Sequence, residues 1–143
     1  MALEWNNTLN SSQQQNWLLD DFQVPEAEDK TRFHDLDLPD QVMQAVAALG
    51  YKYCSPIQAL TLPESLDGKD ITGKAQTGSG KTASYVLPIL TNLQGQTRTK
   101  NRHVNVLVLV PTRELAGQVK DVFQQFGSTL PVRVKTIAVF GGV

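Results

Sequence analysis

The chain has 143 residues, of which 41% are hydrophobic, and a net charge of −1, the make-up of one ordinary globular domain rather than of a low-complexity polymer. Its longest apolar run, 104–110, is broken by Asn105 and falls far short of the roughly 20 residues that span a bilayer. The single cysteine, Cys54, excludes an intrachain disulfide, and the N-terminus lacks a basic stretch followed by an apolar one; a reducing, cytoplasmic setting is expected.

Charge is unevenly placed. Residues 1–30 hold six acids and one base, whereas the rest hold eight acids and twelve bases. A modest positive balance permits a phosphate-bearing partner without identifying one. The first 30 residues are rich in Asn, Gln, Ser and acids and show no sustained period, so a disordered tail is expected over 1–30, ahead of a folded unit over 31–143. Within the tail, Trp17, Leu18, Leu19 and Phe22 form an apolar cluster beside Asp20 and Asp21, a candidate docking element for a protein partner set against the plainer reading of a tail with inert aromatics.

From Phe33 the texture becomes periodic. Pro39 at a first helical position, Val42, Met43, Val46 and Leu49 on one face, and Gly50 beyond predict a short helix. Ser55-Pro56 opens a second, expected to run to about Leu62, where Pro63 interrupts. Asp70-Ile71-Thr72 is a brief strand candidate, and Thr82 to Leu93 a helix kinked at Pro88. Val104 to Val110 reads as a buried strand closed by Pro111. A helix follows with Thr112 as N-cap, Leu115, Val119, Phe123 and Phe126 on one face, and Gly127 at the stop. Val132 to Phe140 is a third strand, ended by Gly141-Gly142. Strands alternating with helices of about a dozen residues predict right-handed βαβ units around a parallel sheet, an α/β fold.

Chemistry concentrates at Ala75-Gln76-Thr77-Gly78-Ser79-Gly80-Lys81-Thr82, where the first strand candidate meets a helix. Glycines let the backbone approach phosphates and turn sharply. The exposed N–H groups and the positive helix end then cradle an anion. Lys81 is placed to reach the β and γ phosphates of a nucleotide, and the Thr82 hydroxyl to ligate Mg²⁺. The general pattern asks for glycine where this chain has Ala75, the smallest alternative.

With that alanine, the loop resembles the first nucleotide motif of the DEAD-box RNA helicases. Pro111-Thr112-Arg113-Glu114-Leu115-Ala116 is similar to the family's next motif, and Gly141-Gly142 to the one after it. The resemblance implies that Pro111, Thr112, Arg113, Gly141 and Gly142 lie against an RNA backbone. Gly50 to Gln58 resembles the family's adenine-recognition motif, which also uses an aromatic seventeen residues before the glycine; that residue is Phe33. By resemblance, Gln58 reads the adenine edge and Phe33 packs on the base. A carboxamide suits this, because it donates and accepts side by side.

Two of these motifs have plainer readings. Ser55-Pro56-Ile57-Gln58 is also a capping box, and Arg113 and Glu114 also suit the solvated first turn of a helix. Cys54 stands where many family members have proline.

The resemblance implies a partial RecA-like domain of the phosphate-loop NTPase class, binding ATP with Mg²⁺ and contacting RNA. The family's Asp-Glu-Ala-Asp motif, which holds Mg²⁺ and orients the attacking water, does not occur in residues 1–143. The chain is therefore expected to be the N-terminal segment of an ATP-dependent RNA helicase, or alternatively a truncated, non-catalytic polypeptide with residual nucleotide or RNA binding. By itself it is expected to hydrolyse ATP slowly or not at all.

Overall fold

The computed structural model describes residue 20, residues 22–96 and residues 103–142. A 3-10 turn at Phe33–Asp35 leads into helix α1, Asp40–Ala48. Pro39 occupies the N-cap rather than the first helical position, and Leu49 and Gly50 close the helix, Gly50 at a φ of +76°. Val42, Met43 and Val46 are buried along one face, as their three- and four-residue spacing dictates.

Helix α2 spans Pro56–Leu66 and carries Pro63 inside it, so the expected stop near Leu62 is corrected. Pro63 removes one backbone donor, yet the turn beyond it closes through Asp67 N–H to the Pro63 carbonyl at 3.1 Å. Leu62 is fully buried in the shared core. Burial of such a side chain contributes about 1.5–3 kcal/mol, comparable with the cost of an interior proline.

Helix α3, Lys81–Gln94, packs against α2 and likewise holds its proline, Pro88, within the helix. Helix α4, Arg113–Gly127, starts at Thr112, whose Oγ1 accepts the Leu115 N–H at 3.2 Å. Val119, Phe123 and Phe126 on α4 meet Phe33, Val46, Val86, Leu87 and Leu90 in one core.

The parallel sheet is where expectation and structure part. Among the described residues no strand is assigned, and the one bridge is an isolated antiparallel pair, Arg32 with Tyr53. The segments 70–72, 104–110 and 132–140 run without helical or ladder pairing. A ladder needs a neighbouring chain at bonding distance on the strand's edge, and a buried parallel strand needs cover on both faces. Here only one face has cover: Val108 and Val110 turn towards the helices, while Leu107 and Leu109 are 75% and 83% exposed. Residues 132–139 alternate between half-buried and exposed, the two-residue period of an extended chain with one face inward.

The packed region also begins earlier than residue 31. Val24 is 3% exposed and Phe22 packs against the core, so two residues of the expected tail touch the packed region. The Trp17 to Leu19 part of the apolar cluster lies outside the described residues.

Candidate functional site

The phosphate loop enters α3 through Gly80, which serves as N-cap at a φ of +87°. Only glycine takes that conformation without strain. Space imposes a second constraint: a Cβ on Gly80 would lie 2.4 Å from Gln58 Nε2 and 3.1 Å from Ser55 Oγ. The loop before it turns through Ser79 N–H to the Gln76 carbonyl at 3.3 Å, and Gly78 sits at a φ of +80° with open space around it.

Lys81 folds back, its Nζ donating to the Ala75 carbonyl. It also lines a cavity of about 290 Å³ with Ile57, Thr61, Ile71, Ser84 and Tyr85. The Ser79 hydroxyl is buried with no hydrogen-bond partner. An orphaned hydroxyl, a lysine held only by a loop carbonyl and the N-terminal amides of α3 together fit a phosphate chain. Thr82 stands in the first turn of α3, where its hydroxyl would hold Mg²⁺. Gln76 and Thr77 are exposed on the loop.

Gln58 is 3% exposed and joins two motifs that lie far apart in sequence. Its Oε1 accepts the Ser55 N–H at 2.9 Å, half of the capping box, and its Nε2 donates to the Gly80 carbonyl at 3.2 Å. A carboxamide has two N–H donors and two acceptor lone pairs, so one of each remains after these bonds. Capping and adenine recognition are therefore compatible, and the cap orients the amide.

Phe33, expected to pack on a base, lies inside the packed region. Its ring is 1% exposed and meets Tyr51 edge-on, with centroids 6.0 Å apart. Tyr51 in turn stacks at a tilt on Phe126, 5.7 Å away. Phe33 thus supports the loop 50–58 from beneath and has no open ring face. Tyr51, 42% exposed, was passed over in the sequence because it lies inside the motif without being one of its named positions.

The second cluster forms where α4 begins. Pro111, Thr112 and Arg113 meet Gly141 around a groove of about 530 Å³, together with Val139 and Phe140. The Arg113 guanidinium lies over the Phe140 ring, 6.0 Å from its centroid, and a Cβ on Gly142 would come within 3.4 Å of its Nη2. The fold therefore unites residues that the sequence separates by nearly thirty positions. Phe140 is marked in the sequence only as the aromatic immediately before Gly141-Gly142.

A family model described as DEAD/DEAH box helicase matches residues 55–143. The chain belongs to the DEAD/DEAH box helicase family. It is 45% identical over 116 residues to the ATP-dependent RNA helicase DeaD of Klebsiella pneumoniae, a match covering 81% of this chain and 17% of that protein. It is 43% identical over 112 residues to the DEAD-box ATP-dependent RNA helicase CshA of Geobacillus kaustophilus, covering 78% of this chain and 23% of the relative. Among solved structures, the RNA helicase Prp28 from Chaetomium thermophilum bound to ADP superposes with a TM-score of 0.67 at 33% identity, covering 84% of this chain and 29% of that one. A DEAD box protein from Methanococcus jannaschii gives 0.58 at 32% identity, over 68% and 26% of the two chains.

The parent family is thus one of ATP-dependent RNA helicases with RecA-like domains, and this chain spans about a fifth of the curated relatives it matches. No described helix is long and apolar enough to cross a membrane. No group of three or more metal-ligating side chains occurs among the described residues. Cys54, at the proline position of the adenine motif, is half-buried; burial, then the Asp35 charge, push its thiol up to about 11. It is a packed thiol rather than a reactive one.

Proposed function

We propose that these residues form the ATP-binding face and one RNA-backbone contact of an ATP-dependent RNA helicase. The observation that carries this is Gln58, whose single carboxamide ties Ser55 of the adenine motif to Gly80 of the phosphate loop. Its remaining donor and acceptor face the task of matching adenine's adjacent acceptor and donor. Ala75 to Thr82 would wrap the phosphates, with Lys81 leaving the Ala75 carbonyl to meet them. Mg²⁺ at the Thr82 hydroxyl would neutralise charge on the phosphate oxygens.

Pro111, Thr112, Arg113, Gly141 and Gly142 would take the RNA backbone. The Thr112 Oγ1 already accepts from Leu115 N–H and keeps its proton to donate to a phosphate. Arg113 supplies positive charge, and the glycines give the close approach a backbone contact needs. Segments 70–72, 104–110 and 132–140 would pair as neighbouring parallel strands, a reading supported by the likeness to solved structures of an RNA helicase and a DEAD box protein. Hydrolysis would require the acidic residues of an Asp-Glu-Ala-Asp motif, so the activity proposed for residues 1–143 is binding.

The test compares ATP and GTP binding before and after Gln58→Ala. Loss of ATP affinity with GTP unchanged is the expected result. Equal loss for both nucleotides would reduce Gln58 to a helix cap.

A further inference from the structure

The adenine loop is held from outside by residues 22–35, of which the motifs include only Phe33. Backbone bonds clamp it first: Phe33 N–H donates to the Lys52 carbonyl at 3.1 Å, and Cys54 N–H to the Thr31 carbonyl at 2.8 Å. These flank the antiparallel bridge between Arg32 and Tyr53.

Side chains then fasten the same two residues to the stretch on either side of Arg32. The Arg32 guanidinium forks onto Asp35, its Nε and Nη2 donating to the two carboxylate oxygens at 2.8 and 2.7 Å. Its Nη1 donates to the Val24 carbonyl at 3.2 Å, and Glu26 lies 3.4 Å away. The Tyr53 hydroxyl donates to the Pro25 carbonyl at 2.8 Å, while the Lys30 ammonium stands 5.3 Å from the Tyr53 ring centroid. Buried Val24 seats the whole stretch.

Residues 22–35 are therefore a strap whose geometry passes directly into the site. Cys54 is fixed by the strap, the next residue is Ser55, and the Ser55 N–H sets the Gln58 amide. The charge-assisted fork onto Asp35 fixes Arg32 in direction as well as position, and the Arg32–Tyr53 bridge with its flanking backbone bonds carries that placement to the loop that sets Gln58. We propose that Arg32 and Tyr53 are positioning residues for base recognition, acting through the strap to hold the Gln58 amide in register with adenine. This rests on the adenine-reading role proposed for Gln58. It separates two parts of nucleotide affinity: the strap governs the base, and the phosphate loop governs the phosphates.

The experiment measures binding of ATP, GTP and inorganic tripolyphosphate to the full 143-residue chain and its variants. Arg32→Met keeps an apolar stem and removes every guanidinium bond. It is expected to weaken ATP by about fivefold to tenfold while GTP and tripolyphosphate hold steady. Tyr53→Phe deletes one hydroxyl and leaves the ring, so it decides the matter if Arg32→Met fails to fold; about a threefold, ATP-only loss is expected. Parallel losses for all three ligands, or no loss for ATP, would overturn the proposal, since the strap would then be structural support only. Gln58→Ala separates the two ideas. If it weakens ATP selectively while the strap variants do not, the strap proposal alone falls; if it weakens ATP and GTP equally, both fall.

Discussion

Gly80→Ala tests whether the contact between the two nucleotide motifs is as tight as the geometry indicates. Two separable penalties arise. A side chain at a φ of +87° meets left-handed backbone strain of about 1–2 kcal/mol. The new Cβ, 2.4 Å from Gln58 Nε2, must also displace the buried carboxamide from the Gly80 carbonyl, and leaving such a group unsatisfied costs about 1–3 kcal/mol. The sum is about 2–5 kcal/mol, a large share of any small domain's stability. Gly78→Ala is the internal control, because Gly78 has a φ of +80° but nothing within 4 Å of a Cβ; only the strain of about 1–2 kcal/mol is expected there. Urea titration followed by helical circular dichroism gives both values. In a Gln58→Ala background most of the clash part of the Gly80→Ala cost should disappear, since the amide is gone and only Ser55 Oγ, 3.1 Å from the Cβ, remains close. Equal costs at Gly78 and Gly80, or no relief from Gln58→Ala, would refute the reasoning.

At the groove proposed for RNA, Arg113→Ala should weaken RNA binding and lower the salt slope by about one. Phe140→Leu should cost about 0.5–1 kcal/mol of RNA affinity through loss of the ring beneath the guanidinium, and that cost should vanish in an Arg113→Ala background; an undiminished cost there would count against the pairing. Cys54 makes stability fall with rising pH: its folded thiol is raised to about 11 from 9.0, so the unfolded chain ionises first. Stability should be intact below pH 9 and decline from there towards pH 11. Urea midpoints across that range should show the decline in the natural chain and a shallower one in Cys54→Ala, and identical slopes would dismiss Cys54 as its source.

The helices were legible because each carries its own punctuation. Thr112 caps α4 as its position before Arg113-Glu114 announced, and the apolar spacing of Val42, Met43 and Val46 picked out the buried face of α1. Pro63 misled, since a local rule about proline gives way when buried Leu62 anchors the turns on either side. Within the expected tail, polar composition gave no sign of buried Val24, whose carbonyl accepts from Arg32 and whose neighbour Pro25 accepts from Tyr53.

What the sequence by itself determined was the inventory of the phosphate loop: Gly78, Gly80, Lys81 and Thr82 at a helix entrance, with family-type Ala75. Those requirements are local, because an anion cradle is built from consecutive backbone amides. Only the tertiary structure decided that Gln58 closes on the Gly80 carbonyl, that Phe33 is buried edge-on against Tyr51, and that Arg113 rests on Phe140. Each of these joins residues about twenty or more positions apart, and such contacts are set by how helices and extended segments pack, which no spacing along the chain encodes.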